Sequence, residues 1–381
     1  MSKQRVSRHI WLQDTPHGIR AGNVLSGRST LLNASELEEL ELFSAGRSVD
    51  PENPAHRYFL EADLLVAGNS QAQPTPRLES VDKTLVKYLS DRLEIGPRRV
   101  RERFPDRLAR LDQVLDLALD SIQSKPALTE AEKSSIEHEL RALVDHARLF
   151  LLLETEPSEE FQFASGFLSA IPGRPLPRED YEQQPCMPET SQRRMELALT
   201  FLRPDNKGLI LGDDDLLSVY WSQNFEQECA VFELDEELLN FLKPRLSDKV
   251  SLQARDLTTG LPEEFRGQFD IVLTDPMYER CGMDLFLKCC RQGLSEHPEA
   301  TVLFTTRPDM IQDGHLLEER MGEAGLRVES HIQNFSRYRL PDFYRRKLVR
   351  GFHACGLSPQ LVQGLSQIPY LYADMFVLRG T

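Results

Sequence analysis

The sequence predicts an α/β protein built on a mainly parallel sheet with helices on both faces. Three observations carry that reading. Five apolar runs, "KGLILG", "CAVFELD", "VSLQARD", "FDIVLTDP" and "ATVLFTT", follow one another from residue 207 with helical stretches between most of them and a loop after "QARD". Two further strand candidates, "RVESHIQNF" and "ADMFVLRG", close the chain, with "DFYRRKLVRGFHACG" inserted between them. The first run ends in Gly212 followed by Asp213, Asp214 and Asp215, a turn that places charge where such sheets bind ligands, beyond the carboxyl ends of the strands.

A length of 381 residues allows two or three domains. We divide the chain into residues 1–75, 76–168 and 169–381. In the first part Ser35 and Glu38 have capping-box spacing before "LEELELFSAG", and "RYFLEADLLVAG" reads as a strand-like or buried piece, a pattern that suits a small winged-helix-like domain. "NSQAQPTP" reads as a linker. The second part is helical: "ESVDKTLVKYLSDRL" and "RLARLDQVLDLALDSIQ" repeat apolar residues at three-and-four spacing, and Thr129 with Glu132 forms a capping box ahead of "IEHELRALVDHARLFLLL". These helices read as scaffold or as the surface of a homodimer. The third part opens on an irregular, Pro-rich stretch (169–190), a linker or a lid over a site, and continues through the helix "SQRRMELALTFL" into the sheet.

Composition narrows the function. A net charge of −15 argues against a nucleic-acid backbone as partner and suits a cationic ligand. No apolar run approaches the ~18–20 residues of a membrane helix, and the first residues lack the apolar stretch of a signal peptide, so a soluble cytoplasmic protein is expected. The six cysteines form no CxxC pair and the nine histidines no HxH or HExxH cluster, so no metal site is expected.

The strand ends supply the candidate site. Nucleotide-binding folds normally place glycines after the first strand, where backbone N–H groups meet an anion. Here three carboxylates stand in that place, favouring a ligand with ammonium or sulfonium charge and penalising one with a carboxylate. At ~4 Å and an effective dielectric of ~20, one such pair is worth about 4 kcal/mol. The plain alternative is a cap on the following helix, which needs one aspartate. Glu233 and Asp235 follow the second strand, where an acid accepts from ribose hydroxyls, and Asp256 follows the third, placed for an exocyclic adenine amine. After the fourth come Asp275, Pro276 and Tyr278; a carboxylate there can orient an attacking amine and take its proton.

Seven strands ending in this way suggest the Rossmann-like fold of S-adenosylmethionine-dependent transferases. At the site residues the sequence resembles the branched-chain polyamine synthases, the bis(aminopropyl)spermidine synthases. That family carries a Tyr-Asp-Gln stretch, a Pro-Glu-Thr with an arginine pair, and a Gly-Asp-Asp-Asp-Leu signature. This chain has Tyr181-Glu182-Gln183, Pro188-Glu189-Thr190 with Arg193 and Arg194, and Gly212-Asp213-Asp214-Asp215-Leu216 with Ser218, in the same order and spacing over roughly residues 172–290. The resemblance implies decarboxylated S-adenosylmethionine as co-substrate, transfer of its aminopropyl group to an amine and release of methylthioadenosine. It makes Asp213, Asp214 and Asp215 the holders of the aminopropyl ammonium and the acceptor amine, one of them the base, with Tyr181, Gln183 and Tyr278 bordering the acceptor. Two departures, Asp275-Pro276-Met277 for the family's Asp-Pro-Pro and Glu233-Leu234-Asp235 for its Asp-Ile-Asp, flank the acceptor or ribose.

One segment resists a polyamine acceptor. "RYRLPDFYRRKLVR" sets six basic residues against Asp342 and would repel a polycation, while it could grip an acidic peptide or phosphate; the plain alternative is a solvated helix face paired with acids elsewhere. Aminopropyl or 3-amino-3-carboxypropyl transfer to a peptide or natural-product precursor, and N-methylation from S-adenosylmethionine itself, therefore stay open beside the polyamine reading.

Overall fold

A computed structural model describes residues 4–67, 115–116, 118–126, 128–153, 161–278, 280–308, 311, 313–339, 342–354 and 370–381. The linker at 69–76 and the helix expected over "ESVDKTLVKYLSDRL" fall outside them.

The N-terminal residues form β1 (Gln4–Val6), a three-stranded antiparallel meander β2 (Ile10–Thr15), β3 (Gly18–Asn23) and β4 (Ser29–Leu32), two helices, α1 (Ala34–Glu41) and α2 (Pro54–Glu61), and β5 (Leu65–Ala67), which returns antiparallel to β1. The capping box of α1 lies two residues earlier than the expected Ser35 and Glu38. Asn33 accepts from the Glu36 N–H at 2.9 Å and Glu36 accepts from the Asn33 N–H at 2.8 Å. Asparagine tolerates the extended N-cap backbone and offers a better-placed acceptor than the serine beyond it. "RYFLEADLLVAG" divides between the end of α2 and β5, because Asn53 caps a helix that Pro54 starts. At α3 (Glu130–Leu153) the Thr129 and Glu132 box forms as expected.

The rest of the chain builds one seven-stranded sheet. After α4 (Pro188–Leu199) come β6 (Gly208–Leu211), α5 (Leu217–Asn224), β7 (Cys229–Glu233), α6 (Glu236–Leu242), β8 (Val250–Ala254), β9 (Ile271–Thr274), α7 (Arg280–Gly293), β10 (Thr301–Thr306), α8 (Leu317–Glu323), β11 (Leu326–Arg339), α9 (Asp342–Ala354) and β12 (Tyr370–Gly380). The strand order is β11-β12-β10-β9-β6-β7-β8. The five strands from β8 to β10 are parallel, and β12 runs antiparallel to both β10 and β11. All seven expected strands are present, and the segment inserted between the last two forms the helix α9.

Two features of this sheet position the site. The chain leaves β6 in one direction through β7 and β8 and then continues on the other side through β9 and β10. The point of reversal therefore lies between β6 and β9, which is where a crevice opens in doubly wound sheets. The two strands are tied at that end, where the Thr274 Oγ1 donates to the Leu211 carbonyl at 2.9 Å. The N-terminal module is not a separate body. Val6, Leu37, Phe43 and Phe59 share one apolar cluster with Phe167, Trp221 and Val231, and the Leu168 N–H donates to Glu41 across the junction at 3.1 Å.

Trp221 of α5 is fully buried over the first residue of β6, and a Cβ on Gly208 would lie 2.2 Å from its ring. Gly208→Ala should therefore cost ~1–3 kcal/mol by overpacking. The measurement is the urea midpoint; an unshifted midpoint would mean that the indole does not rest on that strand.

Candidate active site

The turn after β6 separates three adjacent carboxylates. Gly212 has φ +73° and Leu216 φ +57°, so left-handed residues bracket the aspartates at both ends. A leucine in that region is strained, and strain of this kind persists where its surroundings enforce it. As a result the three side chains diverge. Asp213, fully buried, turns to the start of α5, where it accepts from the Ser218 N–H at 3.2 Å and from the Ser218 hydroxyl. Asp215, 4% exposed, accepts from the Cys186 N–H at 2.6 Å and from the Arg194 guanidinium. Asp214 is half-buried and accepts from the Gln184 N–H at 3.1 Å. The cap that the sequence offered as the plain alternative thus exists, and it uses one aspartate of the three.

Asp275, after β9, enters the same cluster through Arg194. The guanidinium, 1% exposed, reaches from α4 to Asp215 on one side and to Asp275 at 2.7 Å on the other. It also contacts the Ser336 hydroxyl at 3.1 Å and the Tyr338 hydroxyl, which itself donates to Asp275. Tyr278 is half-buried, and burial together with the charge of Asp275 raises its hydroxyl well above the usual range. Ser336 and Tyr338 are not singled out by the sequence, and Arg194 only as one of an arginine pair with no task of its own. A signal for the arginine was present: Arg194 stands between Thr190 and Ala198 at four-residue spacing, on the face that α4 buries. The tyrosine comes from the far edge of the sheet, and nothing local announces it.

The second and third strand ends differ in availability. Glu233, 8% exposed, accepts from three backbone N–H groups, those of Asp213 and Asp235 at 2.9 Å and of Leu234 at 2.7 Å. It thereby joins the β7 turn to the acidic turn of β6. Asp235 is fully buried, caps α6 through the Glu237 N–H at 2.9 Å and accepts from the Gln183 side chain at 2.9 Å. Its carboxylate is spent on the fold. Asp256 is exposed and bonded to the Thr258 N–H at 2.8 Å. Tyr181 lies under the Arg178 guanidinium, 4.3 Å from its ring centre. Of the basic segment, Arg337 turns inward, 8% exposed, and pairs with buried Glu189 at 3.3 Å, so that part of it is structural.

So many acids in one place compete for few protons. Burial raises the Asp213 carboxyl to about 8, against the hydrogen bonds from Ser218. Desolvation, then the charges of Asp215 and Asp275, raise Asp214 well above the ordinary carboxylate range, with Arg174 opposing. Burial raises Asp275 to about 6, with Arg194 pulling it back. Such shifts suit groups that exchange protons near neutrality. Among the described residues no group of three or more His, Cys, Asp or Glu side chains is arranged to hold a metal ion.

Fold and site together define a doubly wound α/β protein with a carboxylate cluster at its topological switch point. Residues 163–348, just under half of the chain, match the model of the branched-chain polyamine synthase A C-terminal domain, so this stretch is similar to the branched-chain polyamine synthases. Two proteins of Methanocaldococcus jannaschii are similar to it. An uncharacterized one is 31% identical over 173 residues, 43% of this chain and 43% of its own. The N(4)-bis(aminopropyl)spermidine synthase is 36% identical over 182 residues, 45% of this chain and 51% of its own. The chain thus spans about half the length, or less, of these curated relatives. The branched-chain polyamine synthase from Thermus thermophilus, solved with N4-aminopropylspermidine and 5'-methylthioadenosine, is 15% identical, with a TM-score of 0.47 over 79% of this chain and 94% of that one.

Two outcomes check the charge network. Asp213 holds its proton more tightly folded than unfolded, so its contribution to stability is complete below the unfolded pKa of 3.8 and is lost as pH rises through about 8. Asp213→Asn should therefore flatten the fall of Tm between pH 5 and 9. An unaltered slope would remove burial as the cause. Arg194→Met leaves Asp215 and Asp275 buried without their cation and should cost ~3–5 kcal/mol, part of which Asp215→Asn should restore in the double variant; additive losses in urea unfolding would contradict the bridge.

Proposed function

We propose that the protein transfers an aminopropyl group from decarboxylated S-adenosylmethionine to an amine of polyamine type and releases methylthioadenosine. One observation carries the reading: of the three carboxylates after β6, Asp213 is used by a helix start and Asp215 by Arg194, while Asp214 stays at the cleft with one backbone bond and a raised pKa. The family match over residues 163–348 supports it, as does the strand order, whose reversal between β6 and β9 opens the ligand crevice beside the acidic turn.

On this reading each residue has a task. Glu233 accepts from the ribose hydroxyls with the lone pairs its backbone bonds leave, and Asp256, beyond β8, faces the adenine amine. Asp275, held by Arg194 and Tyr338, attracts the ammonium of the aminopropyl chain. Tyr181 and Tyr278 flank the acceptor. Asp214 orients the acceptor nitrogen and takes its proton. The neutral nitrogen forms a bond to the propyl carbon on sulfur; the carbon–sulfur bond breaks, its electron pair stays on sulfur, and the sulfonium becomes the thioether of methylthioadenosine. Arg194 keeps Asp215 and Asp275 in place without filling the position that the acceptor needs. Because the base works ionised and burial raises its pKa well above the ordinary carboxylate range, turnover falls as pH drops and begins to fall at a higher pH than an ordinary carboxylate would allow.

A second reading is favoured by the N-terminal module, which packs into the same core as the sheet. If it is a winged-helix-like grip on a peptide, the acceptor amine belongs to that peptide.

The test supplies decarboxylated and ordinary S-adenosylmethionine separately, each with spermidine, and identifies the nucleoside by mass spectrometry. Methylthioadenosine is expected from the decarboxylated donor, and S-adenosylhomocysteine would instead make the protein a methyltransferase. Asp214→Asn should lower kcat/KM at least ~100-fold with an unchanged Tm. Full turnover in that variant would take the base away from Asp214.

A further inference from the structure

An acidic site attracts amines, and it also holds them protonated, whereas the transfer needs a neutral nitrogen. Asp214 shares its surroundings with Asp215 of the same turn, with Asp275 at the end of β9 and with Glu233 at the end of β7. Three of these acids have counterparts: Arg194 pairs with Asp215 and Asp275, and Glu233 accepts from backbone N–H groups. Among the described residues no cation forms an ion pair with Asp214, whose one hydrogen bond comes from the Gln184 N–H.

Arg174 stands beside this turn. It lines a cavity of about 90 Å3 together with Asp215, Cys186 and Trp11. Its half-buried guanidinium is faced by Asp214, Asp215, the Cys186 thiol and Asp14, yet among the described residues no carboxylate forms an ion pair with it. Removing part of the hydration of an unpaired cation costs free energy, so the fold must hold it there. The backbone that carries it is tied on both sides. Gly173, with φ +86°, donates its N–H to Asp14 of β2, and Arg245 donates to the carbonyls of Ala170 at 3.2 Å and Pro172 at 3.0 Å. The charge of Arg174 reaches Asp214 and opposes the rise that burial and the neighbouring acids cause there.

We infer that Arg174 is a positioning residue that acts through its charge, keeping both Asp214 and the acceptor nitrogen free of protons. A cation beside an amine disfavours the ammonium form, and a cation beside a carboxylate favours the ionised one. Both effects raise the share of complexes in which a neutral nucleophile faces an ionised base. The inference rests on the aminopropyl-transfer reading and adds no step to it: the nitrogen bonds to the propyl carbon, sulfur keeps the electron pair and Asp214 takes the proton. The same charge weakens the binding of a polyamine, so its removal should tighten binding while slowing turnover.

The test compares the wild type with Arg174→Met, which removes the charge, and Arg174→Lys, which keeps it. With decarboxylated S-adenosylmethionine and spermidine, kcat/KM of Arg174→Met should fall at least ~tenfold at pH 7 and recover as pH rises, its acid limb displaced to higher pH. Arg174→Lys should keep the wild-type limb, and neither variant should lose Tm. A second arm isolates the action on the amine. In an Asp214→Asn background that residue no longer titrates, and adding Arg174→Met should tighten spermidine binding about threefold by calorimetry with methylthioadenosine present. An acid limb that stays in place in Arg174→Met, or spermidine binding no tighter in the double variant than in Asp214→Asn, overturns the inference. If the wild type releases no methylthioadenosine, aminopropyl transfer falls and the binding arm decides on Arg174. Release with an unmoved limb leaves the transfer standing and sinks the role of Arg174.

Discussion

The site depends on one buried cation. Arg194 stands between Asp215 and Asp275, which leave different strands on either side of the switch point, and binds both. Without it two carboxylates would face each other in a medium that solvates neither, and the ends of β6 and β9 would repel. Buried ion pairs add little net stability, since desolvation offsets most of the attraction. What this one provides is placement. It fixes two acids and a tyrosine hydroxyl from β11 in a single arrangement, and it draws α4 against the carboxyl edge of the sheet.

Once Arg194 has committed Asp215, the backbone of the turn determines what remains. Left-handed conformations at Gly212 and Leu216 send consecutive side chains in different directions, so a run of three like charges becomes a cap, a ligand position and an ion-pair partner. The repulsion expected of adjacent carboxylates is reduced in two ways. Asp215 has a counter-charge, and Asp213, with a pKa near 8, carries its proton at neutral pH.

The segment that leads into α4 connects this chemistry to the N-terminal module. Met187 donates its N–H to the Arg337 carbonyl at 2.8 Å, which sets Cys186 against the acidic turn, while Gly173 is held by Asp14 of the meander. A wall of the cavity beside the site is therefore Trp11, some two hundred residues distant from Asp215 in the chain. The net charge of −15 describes the surface as a whole and conceals a small compartment lined by arginines.

The seven strands, the presence of a segment inserted before the last of them and the acids at the strand ends were all legible in the sequence, because strand periodicity, turn glycines and local capping are properties of neighbours in the chain. Even there, the choice of Asn33 over Ser35 as a cap turned on backbone geometry that spacing alone does not specify. Which acids are available was not legible. Asp213, Asp214 and Asp215 are the same residue three times over, and Asp235 looks no different from Asp256. Burial, the direction of a side chain and the arrival of Arg194 from one helix and Tyr338 from a distant strand divide them into structural and chemical groups. Composition and pattern determined that carboxylates would gather at the edge of a parallel sheet; the tertiary structure decided which of them keeps a free face, because charge in a protein interior is set by what packs around it.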